Sequence, residues 1–261
     1  AWLKCHRAVE FYTSLLNNQP MGFYSPDSII KDANRHGIRV RPVDVMHSNW
    51  HSTIENDTTF RLGLQTVNGL SSKAAADILQ SRQKGPWKTI QEFVGKTGIQ
   101  KDERRRLAEV GALNSLSQDR RDALWQVESP RSEDDLFDNS NGPTGPSPRI
   151  LSPMTASERI EADYDGLGLT TGPHPMAYLR DQLPDAWRAS DLPQATAGAT
   201  IQIAGVVICR QRPGTAKGNL FISLEDETGI ANAFVPKAVF EDNRLILTQE
   251  KLLIIEGKVQ N

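Results

Sequence analysis

The sequence predicts a multidomain α+β chain: two helical blocks, the second built of paired helical hairpins, followed by a small all-β domain. Three observations predict it. Apolar residues recur at helical spacing up to about residue 128 and switch to strand alternation from about 199. Gly-centred turns at Asn68-Gly69-Leu70 and Thr97-Gly98-Ile99 each lead into a helical pattern. Residues 129–152, SPRSEDDLFDNSNGPTGPSPRILS, have the Ser, Pro, Gly, Asn and Asp content of a mobile linker.

Trp2, Leu3, Val9, Phe11, Leu15 and Leu16 give residues 1–18 a broad apolar side, so one helix is expected there, ended by Pro20 and Gly22. Ser25-Pro26-Asp27 opens a second helix, with proline near its first position, and His36-Gly37 closes it. IRVRPVDV (38–45) reads as a short strand or extended segment. Residues 67–82 form a tight turn opening into a helix, 85–99 a short helix, and 101–113 another; a last helix runs through Arg120-Arg121 to Trp125. Residues 153–180 carry a helix, with Thr155 or Ser157 as candidate caps before Glu158. Thr200–Arg210, Gly218–Asp226 and Gly229–Val235 read as consecutive strands, 236–243 as a short helix, and Lys251–Gln260 as a fourth strand. Three strands, a helix and a strand is the order of the OB-fold, a five-stranded barrel, here without its fifth strand.

Apolar content of 38% and charged content of 24% exclude a disordered chain. No apolar run approaches the ~18 residues of a spanning helix, so no membrane association is expected. The chain opens on an amphipathic run without Met or a signal-peptide pattern, so a piece of a longer protein is expected. Cys5 and Cys209 form no C-x-x-C pair, which suits a reducing cytoplasm. His47 and His51 have helical spacing, and Cys5 adjoins His6, yet a zinc site takes about four convergent ligands, so no metal site is expected. The net charge of −2 conceals a division: residues 61–128 hold 12 Lys/Arg against 8 Asp/Glu, a net of +4, and residues 129–198 hold 5 against 11, a net of −6. Local fields rather than the total attract a polyanion.

Leu64, Val67, Gly69, Leu70, Ala75 and Ile78 follow the pattern L-x-x-V-x-G-L-x-x-x-x-A-x-x-I, which resembles the helix-hairpin-helix motif of DNA-binding proteins. Gly69 permits a turn that a side chain would obstruct. The amides near Ser71, Ser72 and Lys73 would then lie at a helix N-terminus, where free N–H groups and the helix dipole favour a phosphate. Gly98, followed by Lys101, Arg104, Arg105 and Arg106, reads as an approximate second copy. Such groups grip the DNA backbone without reading sequence. In the strand domain, Leu220, Ile222 and Leu224 mark the interior face, and alternation turns Asn219, Phe221, Ser223 and Glu225 outward. Phe221 is thus a candidate platform for stacking a base, with Arg210, Arg212 and Lys217 clustered on the adjoining loop RQRPGTAKG. In the linker, Asp135, Leu136 and Phe137 form a short acidic-aliphatic-aromatic segment of the kind that docks into a partner's groove.

AWLKCHRAVEFYTSLLNNQPMGFYSPDSIIKDANRHGIRVRPVDV, the paired hairpins, GLTTGPHPMAYLR and RQRPGTAKG…LEDETGIANAFV occur in this order. Together they resemble the C-terminal part of the bacterial C-family DNA polymerases, the DNA polymerase III alpha subunit and its relatives. MGFYSP and the RQRPGTAKG loop are more similar to the error-prone, damage-inducible branch. The resemblance implies the end of a fingers region at 1–60, a tandem helix-hairpin-helix domain at 61–128, a linker at 129–152, a helical connector at 153–198 and an OB domain at 199–261. It implies a function in translesion synthesis and DNA repair, gripping duplex and single-stranded template DNA. The nucleotidyl-transfer aspartates and their Mg²⁺ would lie in a palm domain upstream of Ala1, so no catalytic residue and no cofactor are expected in this chain. It also implies a segment that binds the sliding clamp; Asp135-Leu136-Phe137 holds that place without the usual opening Gln, so an accessory Y-family-like protein is a second expected partner. The alternatives are the corresponding region of the replicative alpha subunit and a stand-alone, non-enzymatic DNA-binding protein.

Overall fold

The structure, a computed structural model, describes residues 2–22, 24–117, 119–128 and 151–260. The chain folds as two compact units, residues 1–171 and 172–261.

The first unit begins with α1 (Trp2–His6) and α2 (Ala8–Asn17), where the sequence predicts a single helix; Arg7, at φ −141° and ψ 54°, breaks the run. Helix α3 (Pro26–Arg35) has the predicted start: the Ser25 side chain accepts from the Ser28 amide, and proline stands in the first turn. Strands β1 (Arg39–Arg41), β2 (Thr53–Asn56) and β3 (Thr59–Arg61) form a sheet in the order β1-β3-β2, with β1 parallel and β2 antiparallel to β3. The pattern of residues 53–61 does not announce strands, because the two runs are only four and three residues long, and the polar Thr59 and Arg61 are buried along with Phe60. Helices α4 (Ser72–Gln83), α5 (Ile90–Lys96), α6 (Lys101–Glu109) and α7 (Arg120–Glu128) follow, then α8 (Ala156–Leu167).

One apolar core joins these elements. Tyr12, Ile30, Phe60, Leu64, Ile78, Phe93, Leu107 and Leu169 all belong to it, so residues 1–60 and 61–128 are built around the same core. Each aliphatic or aromatic side chain so buried contributes about 1.5–3 kcal/mol. Thr155 and Glu158 cap α8 reciprocally: the Glu158 amide donates to Thr155 Oγ1 at 3.2 Å and the Thr155 amide to Glu158 Oε2 at 2.8 Å. Arg120 pairs with the buried Asp163 carboxylate at 2.7 Å, and Thr170 donates to it at 2.6 Å. A Cβ at Gly166 would lie 2.2 Å from Val110 Cγ1, so only glycine lets α8 approach this closely. The segment 153–198 therefore divides: its first part completes the hairpin unit and its remainder joins the sheet unit.

The second unit opens with α9 (Pro175–Leu179) and the short β4 (Ala186–Trp187), and is built on β5 (Thr200–Gln211), β6 (Leu220–Glu225), β7 (Ile230–Val235) and β8 (Leu252–Lys258). The long β5 pairs with β8 along residues 200–206 and with β6 along 206–211, and β4 lies parallel to it at Gln202 and Ile203. A register shift between Val207 and Cys209 re-aims the strand where its partner changes. Helix α10 (Lys237–Asp242) occupies the place predicted for a short helix, and α11 (Arg244–Gln249) follows it where the sequence predicts none. Leu220, Ile222, Leu224, Val235, Phe240, Leu247 and Leu253 form the core of this unit. The order of strands and helix follows the sequence, but no closed barrel forms among the described residues. Strand β7 pairs with β6 alone and β8 with β5 alone, and closure requires a pairing that joins such edges.

Candidate nucleic-acid interface

The first hairpin is assembled from the predicted apolar positions. Leu64, Val67, Leu70, Ala75 and Ile78 are all buried, which fixes the turn on the core and leaves Asn68, Gly69 and Ser71 to Lys73 exposed. Gly69 stands at φ +82°, in the region that a side chain disfavours. The Asn68 amide donates to the Gly166 carbonyl at 2.8 Å and its side chain to the Asp165 carbonyl at 3.3 Å, so the end of α8 braces the turn. Ser71 caps α4, its hydroxyl accepting from the Ala74 amide at 3.1 Å. The Lys73 ammonium forms no close ion pair among the described residues, and its charge acts on the Glu103 carboxylate.

The Ser71 amide is already engaged. Glu103, in the first turn of α6, accepts from it at 3.0 Å and from the Gln100 amide at 3.3 Å. Burial alone would raise the Glu103 pKa, but hydrogen bonds from Ser71 and Gln100 and the charge of Lys73 hold it below the ordinary value of 4.5. A carboxylate thus already sits against one of the amides that the sequence assigns to phosphate, and Ser72 and Lys73 offer the more open ones. Nothing in the one-dimensional pattern signals this, because Glu103 lies 32 residues from Ser71.

The second turn is built differently. Gly98 lies outside the left-handed region, and Thr97 Oγ1 donates to the Phe93 carbonyl at 2.6 Å. The cations after it are largely paired: Lys101 with Glu128 at 2.8 Å, Arg105 with Glu109 at 3.0 Å, and Arg106 with Glu109 at 3.1 Å. Arg104 is half-buried, and its Nε has no acceptor among the described residues.

On the sheet unit, Leu220, Ile222 and Leu224 are buried and Phe221 is 43% exposed, as the alternation predicts. Glu225 departs from it: it is buried beside His174, 3.7 Å from the imidazole Nε2. The register places Phe234, 50% exposed, directly across from Phe221, with ring centroids 5.4 Å apart. Phe234 is a site candidate that the sequence argument missed. The turn length could have found it, since Glu225 facing Ile230 fixes every pair on that hairpin. Next along the same face, Ser223 donates to Asn232 at 2.7 Å.

The three loop cations differ in their freedom. Arg210 is committed internally, donating to the Leu247 carbonyl at 2.7 Å and to the Glu250 carbonyl. The Arg212 guanidinium lies over the Phe240 ring at 4.2 Å and donates to the Gly218 carbonyl at 3.2 Å. Lys217, at φ 51°, is exposed and unpaired among the described residues. At the far end of β6, the acidic run is neutralised by arginines. Arg180 reaches Glu227 at 2.8 Å and Asp226 at 3.2 Å, and Arg188 reaches Glu227 at 3.4 Å. Burial works to raise the Asp226 pKa, yet donors from Ala189, Thr228 and Gly229 hold it below the ordinary range. Asp226 and Glu227 do not fit the Mg²⁺ of a polymerase centre, because their oxygens are taken by arginines and amides. Asp135, Leu136 and Phe137 lie outside the described residues.

The helix-hairpin-helix motif defines the class of the first unit: residues 37–123 match the family model of that motif. Along its whole length the chain is 40% identical, over 268 residues, to the error-prone DNA polymerase of Teredinibacter turnerae, of which it covers 26%. It is 40% identical over 263 residues to that of Alkalilimnicola ehrlichii, covering 98% of this chain and 26% of the relative. To that of Pseudomonas syringae pv. tomato it is 38% identical over 271 residues, covering all of this chain and 26% of the relative. The chain thus spans about a quarter of the length of the curated relatives it matches, and it matches the C-terminal part of a C-family DNA polymerase of the error-prone kind. Among the described residues, no helix is long and apolar enough to cross a membrane.

Proposed function

We propose that this chain is the DNA-holding region of an error-prone DNA polymerase that acts in translesion synthesis and repair. The observation that carries the reading is the Gly69 turn, a left-handed glycine between buried aliphatic anchors that presents the first turn of α4 and the exposed Lys73 to solvent. The hairpin unit grips duplex DNA through backbone amides and cations facing phosphates, without sequence preference. The sheet unit serves as an OB-type module for the single-stranded template: Phe221 and Phe234 stack bases, while Arg212 and Lys217 follow the phosphates. Arg210 has no share in this, because its guanidinium holds the end of α11. Nucleotidyl transfer and its Mg²⁺ belong to a palm region of the whole polymerase, and the sliding clamp recruits it either through the segment containing Asp135, Leu136 and Phe137 or by way of an accessory Y-family-like protein that makes the clamp contact instead.

The test is fluorescence anisotropy with a labelled duplex and a labelled oligothymidine. Wild type should bind both, and Phe221→Ala or Phe234→Ala should weaken only the single strand. Base-aromatic stacking contributes roughly 1–3 kcal/mol per base, so each change should cost at least fivefold in affinity. Unchanged oligothymidine binding in both variants would make the sheet a protein-docking module instead. The open sheet and exposed aromatic pair favour that second reading if single strands do not bind.

A further inference from the structure

The first unit carries a basic cleft apart from its hairpin turns. It has a volume of about 490 Å³ and is lined by Arg39, Arg41, Arg61, His47, Asp44 and Ser115. Arg39 and Arg41 flank the buried Val40 on β1 and share its outer face. The parallel register sets Arg41 directly beside Arg61 on β3, two like charges on neighbouring strands. Such a pair is unfavourable unless an anion lies between them. Glu55 supplies one, 2.9 Å from Arg41 Nε and 2.7 Å from Arg61 Nε. That single carboxylate serves two guanidiniums, and Arg61 also donates to the Pro42 carbonyl at 3.2 Å. Asp44, which accepts from the Ser115 hydroxyl at 2.5 Å and from the Met46 amide at 2.8 Å, adds a second carboxylate, so the three arginines exceed the two acids by one positive charge. The Arg39 guanidinium has no acceptor among the described residues.

We infer that this cleft is a second phosphate-binding subsite, taking a phosphodiester of the nucleic-acid backbone between Arg39 and the terminal nitrogens of Arg41. The donor chemistry fits, since guanidinium forks match phosphate oxygens in two-point fashion. The lining selects a backbone rather than a nucleotide. It offers Val40 and Pro42 as its apolar surfaces and, beyond the single His47 imidazole, no aromatic plane to hold a base. Ser115 belongs to the segment directly after α6, and the Val45 amide donates to the Ala112 carbonyl of the same segment at 2.9 Å. The cleft is therefore anchored to the helix that follows the second turn, where a strand held at the hairpins could continue.

This inference rests on the reading of the first unit as duplex-binding, and the test separates the two. Duplex affinity of the full chain is measured against salt for wild type, Lys73→Ala, Arg39→Ala and Arg39→Lys. Arg39 is exposed and makes no internal side-chain bond among the described residues, so its replacement leaves the fold intact, as circular dichroism should verify; Arg61, buried and bonded, is left in place. Arg39→Ala is expected to reduce the slope of log K against log salt by about 0.9, and Arg39→Lys to retain most of it. A reduced slope for Lys73→Ala with none for Arg39→Ala would overturn the subsite and leave the hairpin reading standing. No duplex binding by wild type would overturn both. In a second arm, inorganic phosphate is titrated against ¹⁵N-labelled protein. Amide shifts at Val40 and Arg41, combined with an unchanged salt slope in Arg39→Ala, would identify a site for free phosphate and overturn the backbone assignment.

Discussion

Asn68-Gly69-Leu70 and Thr97-Gly98-Ile99 each set a glycine between a polar residue and a buried aliphatic one, and each precedes a helix that carries cations. Only the first turns through the left-handed region, with φ +82° at Gly69. Its cation, Lys73, forms no close ion pair among the described residues, whereas Lys101, Arg105 and Arg106 of the second are paired with glutamates. The second helix also sends Glu103 back to the Ser71 amide of the first. The two turns are unequal partners: one presents an anion site, and the other partly fills it. A repeated sequence rhythm carries the spacing of a motif without guaranteeing its backbone or its charge.

The largest effect is expected at Gly69. A Cβ there would meet no atom within 4 Å, so the cost of a side chain is conformational rather than steric. Gly69→Val should destabilise the unit by about 1–3 kcal/mol in thermal or urea unfolding and reduce duplex affinity at least tenfold. A methyl group at the second turn sharpens the contrast. The nearest atom to a Cβ at Gly98 is Asp77 Oδ2 at 3.4 Å, an ordinary van der Waals distance, so Gly98→Ala should stay within about 0.5 kcal/mol of wild type or be slightly more stable. Equal losses at both positions would break the distinction.

Charge reversal comes next in size. Lys73→Glu should reduce the salt slope of duplex binding by about 0.9, the share of one phosphate that is no longer neutralised. Arg105→Glu should change it less, since Arg105 already shares its charge with Glu109. If the larger change followed Arg105, the second turn would be the principal grip.

The smallest effect is assigned to Glu103. Glu103→Gln keeps an acceptor but removes the charge, so duplex affinity should rise by a few-fold at neutral pH while stability falls by about 1 kcal/mol. Because the native pKa of Glu103 is depressed, the stability it contributes is fully present above its ordinary value of 4.5 and is lost as pH falls through the lower native value. Acid unfolding of Glu103→Gln should lack that portion of the pH dependence, and identical acid profiles would show that the Glu103–Ser71 hydrogen bond contributes nothing.

Much of the first hairpin was legible because its signals are local. The apolar spacing from Leu64 to Ile78, the permissive glycine and the Ser71 cap each act within a few residues. The sheet of β1, β2 and β3 was legible only at β1, since β2 and β3 are four and three residues long and the polar residues of β3 are buried. Alternation places Phe221 outward, but Glu225 on the same face is buried beside His174, a residue that the pattern does not link to it. Arg210 is indistinguishable from its neighbours Arg212 and Lys217 in the sequence, yet the carbonyls at the end of α11 claim it.

The sequence by itself determined where helices start, where the strand period begins, which faces are apolar and where glycine must turn the chain. These follow from dihedral sterics, capping and periodicity, which act over a few residues. Only the tertiary structure decided that α8 completes the hairpin unit, that Phe234 faces Phe221, that Glu103 occupies the Ser71 amide, and that three arginines share one cleft with a single bridging glutamate. Those outcomes depend on which distant groups satisfy a buried polar atom or an adjacent charge. Hydrogen bonding and Coulomb interaction act through space, and chain separation does not encode them.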